Sequence, residues 1–325
     1  MTPSALLQRW LNLVRGGAPA VEPVPAAPAA PAPQAPPVPA RLAIDEPAAL
    51  ASEYSEEYPI AQAVTQQVIQ RLPGLDLSPL ARRSPSLAGY DWTSYLQCSQ
   101  CRIVRFQRAL RGHVPAGGRV LDLGSYFGNI ALAAKAIGFT VDAIDSYRDY
   151  GTALAPFAGL QRDAGIGVFD FADAPEITAI RGAGAYDAVI CGGVIEHIPH
   201  TPRPLLDGIR QALKAGGILI LDTPNLAYLY KRLALLEGES VFAPIAQQFH
   251  TELPFEGHHR EYTMAEVEWM LNAAGFDRIA LTTFNYSMFG QSELVGEHVA
   301  YHQAMQADPT LREVIFAVAR RRADV

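Results

Sequence analysis

The chain has 325 residues, 49% of them hydrophobic, and a formal net charge of −7. That length can bury a full-sized core in one large domain or two. The acidic balance argues against a binder that relies on nucleic-acid phosphates, and no apolar run is long enough to span a bilayer. The three cysteines, Cys98, Cys101 and Cys191, are too few for a disulfide framework and fit a reducing compartment.

Met1–Arg15 lacks the basic start of a secretory signal, and Gln8 and Arg9 interrupt its apolar stretch, so a cytoplasmic protein is expected. Residues 4–15 place Leu6, Leu7, Trp10, Leu11 and Val14 on one helical face. An amphipathic terminal helix over residues 1–16 is therefore expected. It would dock on a protein partner or a membrane surface through residues 4–15, or lie on its own domain. Residues 17–40 repeat Ala-Pro and Pro-Ala. Such a linker samples polyproline II at about 3.1 Å per residue and acts as a semi-rigid tether.

Residues 41–112 read as a helical cap. One helix covers Ile60 to Leu72 and stops at Pro73-Gly74; a second runs from about Trp92 to Leu110. Cys98 and Cys101 fall on that second helix. A zinc site needs about four ligands and no second cysteine pair is available, so both read as packing residues.

From residue 113 to 325 strands and helices alternate. Arg119 to Leu123 has the β-branched, apolar character of a buried strand. Gly124 and Gly128 bracket a tight turn, Asn129 to Ile137 is helical, and Phe139 to Ile144 is a second strand with Asp145 at its tip. Further strands are Ile166–Phe169, ending at Asp170, Tyr186–Cys191 and Gly217–Leu221. A helix from Met264 to Ala274 closes at Gly275, and Arg278–Phe284 and Glu313–Ala319 read as final strands. This alternation specifies a doubly wound, Rossmann-like, mostly parallel α/β sheet with an N-terminal helical extension and a Pro/Ala-rich linker. Ligands of such sheets lie at the strand C-termini.

The polar residues fall at those tips. Asp122, Gly124, Ser125, Tyr126 and Gly128 surround the first turn, Asp145 and Ser146 follow the second strand, Asp170 and Phe171 the third, and Cys191 and Gly192 end the fourth. A nucleoside-bearing ligand across this edge would put its ribose near Asp145 and its base near Asp170. The spacing Gly124-x-x-x-Gly128 does not supply the G-x-G-x-x-G that a pyrophosphate requires.

With these residues in view, the chain from about Arg105 onward resembles the class I S-adenosylmethionine-dependent methyltransferases. VLDLGSYFG looks like that family's first motif, and Gly124 to Asp145 has the family's separation between first glycine and ribose-binding acid. Phe169-Asp170-Phe171 resembles the adenine-holding segment, YDAVICGGVIEHI the fourth-strand motif and LKAGGILILDTPN the fifth. HHREYTMAEVEWMLNAAGF looks like a late segment found in small-molecule and glycan methyltransferases. The resemblance implies S-adenosyl-L-methionine as cofactor and a small-molecule or glycan acceptor, with no nucleic acid.

Two departures stand out. Tyr126 occupies the family's middle glycine, so the turn is reshaped or the ring covers the cofactor. Ubiquinone-pathway O-methyltransferases carry a metal-binding glutamate three residues before the Glu-His pair, and that position is Gly193 here, so no such metal site is expected. The absence of an Asn/Asp-Pro-Pro-aromatic motif points away from the amide and nucleobase N-methyltransferases that use one.

A hydroxyl acceptor needs a base, for which histidine is suited. His197, His200, His258 and His259 are candidates, and His197 and His258 are the catalytic pair expected. Glu196 reads as a helix N-terminal carboxylate, and Glu261 and Tyr262 as anchors. Residues 227–263 interrupt the strand rhythm above the sheet edge, as an acceptor-side lid or a structural helix pair. From a different class, a cofactor-binding but non-catalytic subunit tethered to a larger assembly is the alternative.

Overall fold

The computed structural model describes residues 40–173 and 176–323. The terminal helix expected over residues 1–16 lies outside the described residues, as does the linker apart from Ala40. Among the described residues the strands are, in chain order, β1 (Arg41–Ala43), β2 (Arg119–Leu123), β3 (Thr140–Asp145), β4 (Gly167–Asp170), β5 (Tyr186–Gly192), β6 (Leu213–Pro224), β7 (Phe276–Phe284), β8 (Glu293–Val295) and β9 (Val314–Arg321).

The main sheet has the order β4-β3-β2-β5-β6-β9-β7. β2 pairs in parallel with β3 and β5, β3 with β4 and β5 with β6, while β9 runs antiparallel to both β6 and β7. The chain works outward from β2 through β3 to β4, then returns to add β5 and β6 on its other side. The crevice at that reversal, between the C-terminal ends of β2 and β5, is where open α/β sheets take their ligands.

Two-sided burial explains why these strands read as continuous apolar runs. Alternate residues face opposite layers: Val120, Val141, Ala188 and Ile218 pack in one core cluster, and Leu121, Ile144, Val189 and Leu219 in the other.

Four N-terminal helices, α1 (Glu46–Glu53), α2 (Tyr58–Ile69), α3 (Trp92–Cys98) and α4 (Gln100–His113), cover the first face. Leu50, Val68, Leu96 and Phe106 share one cluster with Val120 and Val318, and β1 pairs antiparallel with β8. The boundary expected at residue 113 therefore does not separate two cores.

The single helix expected over Trp92–Leu110 is two helices that meet at Ser99. The Ser99 hydroxyl donates to the Tyr95 carbonyl at 2.9 Å, a back-bond that bends helices. Cys98 and Cys101 straddle this bend; both are free thiols, and burial pushes them up to about 11 and about 12. The fifth parallel strand begins at Leu213 rather than Gly217. Its Gly216 adopts φ +73°, and the pairing with β5 shifts register between Tyr186 and Ala188. His197, expected inside a helix, ends a 3-10 turn, Ile195–His197.

Residues 227–263 form two short helices, Leu229–Leu236 and Ile245–Phe249. The base of the segment is closed by the Leu226 N–H, which donates to the Tyr262 carbonyl at 2.9 Å. Leu235, Ile245, Phe249 and Leu253 are exposed on it. No helix among the described residues is long and apolar enough to cross a membrane.

The turn after β2 depends on its glycines. Gly124 has φ +78° and Gly128 φ +76°. A Cβ at Gly124 would strike the Val194 side chain, and one at Gly128 the Gln161 side chain. Gly117 shares the left-handed backbone, at φ +73°, but faces open space. Gly124→Ala is thus expected to cost at least about 2 kcal/mol, combining left-handed strain with overpacking. Gly117→Ala should cost only about 1 kcal/mol. Urea denaturation reads both, and equal losses would contradict the packing role of Gly124.

Candidate functional site

The first half of the site is built at the tips of β2 and β3. Asp145 is buried, and its carboxylate accepts from the Tyr126 N–H at 2.7 Å and the Ser146 N–H at 2.7 Å. Burial nevertheless raises its pKa to about 6, against the pull of those two donors. Asp122 is only 1% exposed, and its Oδ2 has no hydrogen-bond partner. Burial pushes its carboxyl up to about 7. A buried polar atom without a partner is costly in a finished core, so Asp122 reads as a group kept for a ligand.

Ser125 Oγ donates to Gln161 Oε1 at 3.0 Å, and Gln161 Nε2 donates to the Tyr147 hydroxyl at 3.2 Å. Asp170 is engaged by its own loop, accepting from the N–H groups of Arg148 and Ala172, each at 2.8 Å. The Phe171 N–H donates to the Asp145 carbonyl at 3.1 Å. Tyr147, Phe169 and Asp170 line one cavity beside the β4 edge.

Cys191 stands near the tip of β5. Its side chain is fully buried in the core, which leaves only the backbone of Cys191 and Gly192 at the tip of β5. Tyr126 is the only non-glycine residue with a positive φ among the described residues, at +50°. Its ring packs edge-on against Phe127 at 4.5 Å and Tyr150 at 5.7 Å, with Trp92 of α3 at 6.0 Å. These rings wall the turn on the side of the N-terminal helices.

The second half of the site joins the turn after β5 to the end of the 227–263 segment. The His197 and His258 rings meet edge to face, with centroids 4.8 Å apart. His197 Nδ1 lies 2.8 Å from the Glu256 carbonyl. A carbonyl can only accept, so the proton sits on Nδ1 and the lone pair on Nε2. His258 Nδ1 lies 2.9 Å from Glu261 Oε1. Burial pushes Glu261 up, but hydrogen bonds from His258 and Lys231 outweigh it and hold the carboxyl below its ordinary value. Glu261 is therefore ionised and accepts, which places the same tautomer on His258. His197 is solvent-accessible but crowded by protein atoms in its cleft, and that desolvation lowers its pKa, keeping it neutral near pH 7.

Glu196 is not a helix N-terminal carboxylate. It is buried, its Oε2 accepts from Thr223 Oγ1 at 3.0 Å, and its carbonyl accepts from the His259 N–H at 2.8 Å. His259 is tied to the Phe255 carbonyl through Nε2, and His200 is exposed.

The expectation of no metal site rested on Gly193 alone. There a Cβ would come within 2.6 Å of Arg102 Nη2, and Arg102 pairs with the fully buried Asp222 at the end of β6. One ligand-type atom from each of Glu196, His197 and His258 nevertheless lies within 4.8 Å of the others. Ligands on a tetrahedral ion sit roughly 3.3 Å apart, given bonds of about 2.0–2.1 Å, so an ion would draw the three inward. Asp222 could have been found by the strand-tip logic that found Asp145. Glu256 and Lys231 carry no periodic or motif signal.

Known proteins show the family of the chain. A family described as "Methyltransferase domain" matches residues 92–281. The ubiquinone biosynthesis O-methyltransferase of Xanthomonas axonopodis pv. citri is 30% identical over 162 residues, covering 49% of this chain and 63% of the relative. That of Burkholderia thailandensis is 26% identical over 174 residues, 54% of this chain and 70% of the relative. The chain thus spans less than two thirds of the first relative's length. Among solved structures, a SAM-dependent methyltransferase from Methanosarcina mazei superposes with a TM-score of 0.46 at 14% identity, over 66% of this chain and 97% of that one.

The buried Asp122, with one oxygen partnerless, yields a test by pH. A carboxyl whose folded pKa exceeds its unfolded value destabilises the fold as pH rises through that interval. Relative to the parent, Asp122→Asn should therefore gain about 2.5 kcal/mol of stability between pH 5 and pH 8 in the ligand-free protein. Denaturation at the two pH values measures this, and a pH-independent difference would contradict the buried, high-pKa carboxyl.

Proposed function

The chain belongs to the methyltransferase domain family, and from that premise we propose that it transfers a methyl group from S-adenosylmethionine to a hydroxyl of a small molecule or sugar. The observation that carries this reading is the meeting, at one sheet edge, of two buried carboxylates with a pair of imidazoles in matching tautomers. The relatives reported above, O-methyltransferases of ubiquinone biosynthesis, support an oxygen acceptor on a small molecule.

The residues fit the cofactor. Asp122 Oδ2, buried without a partner, suits an ammonium donor, and Asp145 suits a ribose diol. Ser146, Asp170 and Phe171 would flank the base; Gly124, Ser125, Tyr126, Gly128 and the backbone of Cys191 and Gly192 would line the remainder. An acidic edge suits a sulfonium, and no phosphate cradle is required. When bound, S-adenosylmethionine supplies an electrophilic methyl group on a positively charged sulfur.

The chain's own residues then align the acceptor and exclude water. His258 Nε2 takes the acceptor's hydroxyl proton. The ionised Glu261 fixes the ring and stabilises the imidazolium that results, and Lys231 balances the carboxylate. His197, neutral, offers a second lone pair that orients the acceptor. Residues 227–263 act as the acceptor-side lid, since they contribute Lys231, Glu256, His258 and Glu261.

Turnover with a panel of hydroxyl acceptors tests the roles. His258→Ala should lower kcat about a hundredfold, in line with loss of a general base, and His197→Ala by less, both keeping cofactor affinity. Full turnover in both variants would remove histidine as the base, and cofactor binding without turnover on any acceptor would favour the non-catalytic alternative. Asp145→Ala should weaken S-adenosylmethionine binding at least about tenfold by calorimetry, as loss of hydrogen bonds to a charged group does; unchanged affinity would sink the ribose assignment. A chelator should leave turnover intact, and a strict need for a divalent ion would instead give Glu196, His197 and His258 to that ion.

A further inference from the structure

We propose that Arg83 is a positioning residue for the transfer: it clamps Glu256 against the loop after β3 and so holds His197 in its working tautomer and orientation. The proposal rests on the methyl-transfer reading for its kinetic consequence but not for its geometry.

Arg83 lies in the N-terminal cap, just after the 3-10 turn Ser78–Ala81, far in sequence from everything it joins. Its Nη1 donates to Glu256 Oε1 at 2.9 Å and lies 3.6 Å from Asp149 Oδ1. The Arg83 carbonyl also accepts from the Glu256 N–H at 2.8 Å. Glu256 is thereby held twice by one residue, through its backbone and its carboxylate. Its remaining group, the carbonyl, is the acceptor for His197 Nδ1 at 2.8 Å. The side chains of Arg83 and Glu256 are 29% and 25% exposed, so the pair is less screened than a surface ion pair.

The other end of the clamp reaches the turn side of the site. Asp149 belongs to the 3-10 turn Tyr147–Tyr150 that follows Asp145 and Ser146, and Tyr150 packs on Tyr126. One guanidinium thus bridges the loop that continues from the ribose-side acid and the carbonyl that sets the histidine. Both contacts run through Nη1, and a cationic nitrogen with several donors, on arginine or on lysine, can serve two carboxylates at once.

A neutral imidazole exchanges its proton freely between its nitrogens unless one of them is held by an acceptor. Loosening Glu256 therefore frees His197 to rotate and to place its proton on Nε2, where it no longer offers a lone pair to the acceptor.

The experiment uses the full chain labelled with ¹⁵N-histidine near pH 7.5, with the His197 signal identified by its loss in His197→Ala. The parent should show the Nδ1–H tautomer, and Arg83→Ala a mixture. The same variant should lose at least fivefold in kcat with cofactor affinity changed less than threefold, and Arg83→Lys should recover most of the loss. Glu256→Gln, which keeps the arginine and the backbone bonds, should reproduce the effect should Arg83→Ala fail to fold. An unchanged His197 tautomer in Arg83→Ala or Glu256→Gln would overturn the proposal. So would a fall in kcat matched by loss of cofactor affinity and not recovered by lysine, which marks a merely structural residue. If His197→Ala keeps full turnover, the histidine reading fails, while the tautomer signal still decides the clamp.

Discussion

A carboxylate buried at a strand tip must find donors or give up its charge, and much of the site follows from how Asp145 meets that constraint. It draws in the Tyr126 N–H from the neighbouring turn and the Ser146 N–H from its own. The first bond ties the β2 turn to the β3 tip and coincides with the one left-handed non-glycine residue among the described residues. Such a conformation costs on the order of 1 kcal/mol or more and persists where its surroundings over-determine it. Here those surroundings are Phe127, Trp92 and Tyr150, so the N-terminal helices help to hold the turn that β2 and β3 begin.

Asp122 meets the same constraint differently. With one oxygen partnerless, it keeps its proton to about pH 7, and the fold carries that cost at the crevice where a ligand would relieve it. The histidine half of the site is already oriented by comparison. The Nδ1 atoms of His197 and His258 both have acceptors, and Glu261 is held from two sides. The two halves differ in kind: one waits for a partner, the other is already oriented, and Arg83 spans them.

Much of this was legible in the sequence, for local reasons. β2, β3 and β5 announce themselves because strands buried on both faces leave apolar runs, and the acids at their ends stand out as interruptions. Tyr126 was visible as an oddity, but its φ of +50° and its aromatic neighbours were not, since Trp92 and Tyr150 come from separate elements. The bend at Ser99 was hidden because a serine back-bond leaves the helical periodicity intact. At Cys191 the strand-tip position was visible but the burial of the side chain was not, because a residue at a tip can point either way. Glu196 was undervalued because its burial depends on Thr223 of β6 and on the returning 256–260 segment. Arg83 and Glu256 had no signal at all: their meaning lies in contacts between segments that no period or motif connects.

The most direct test is a crystal structure of the protein with S-adenosylhomocysteine, the demethylated product. The account predicts the ribose hydroxyls on Asp145, the amino group on Asp122, and the sulfur facing the His197–His258 pair. Product bound with its ribose away from Asp145, or with its sulfur turned from both histidines, would contradict it.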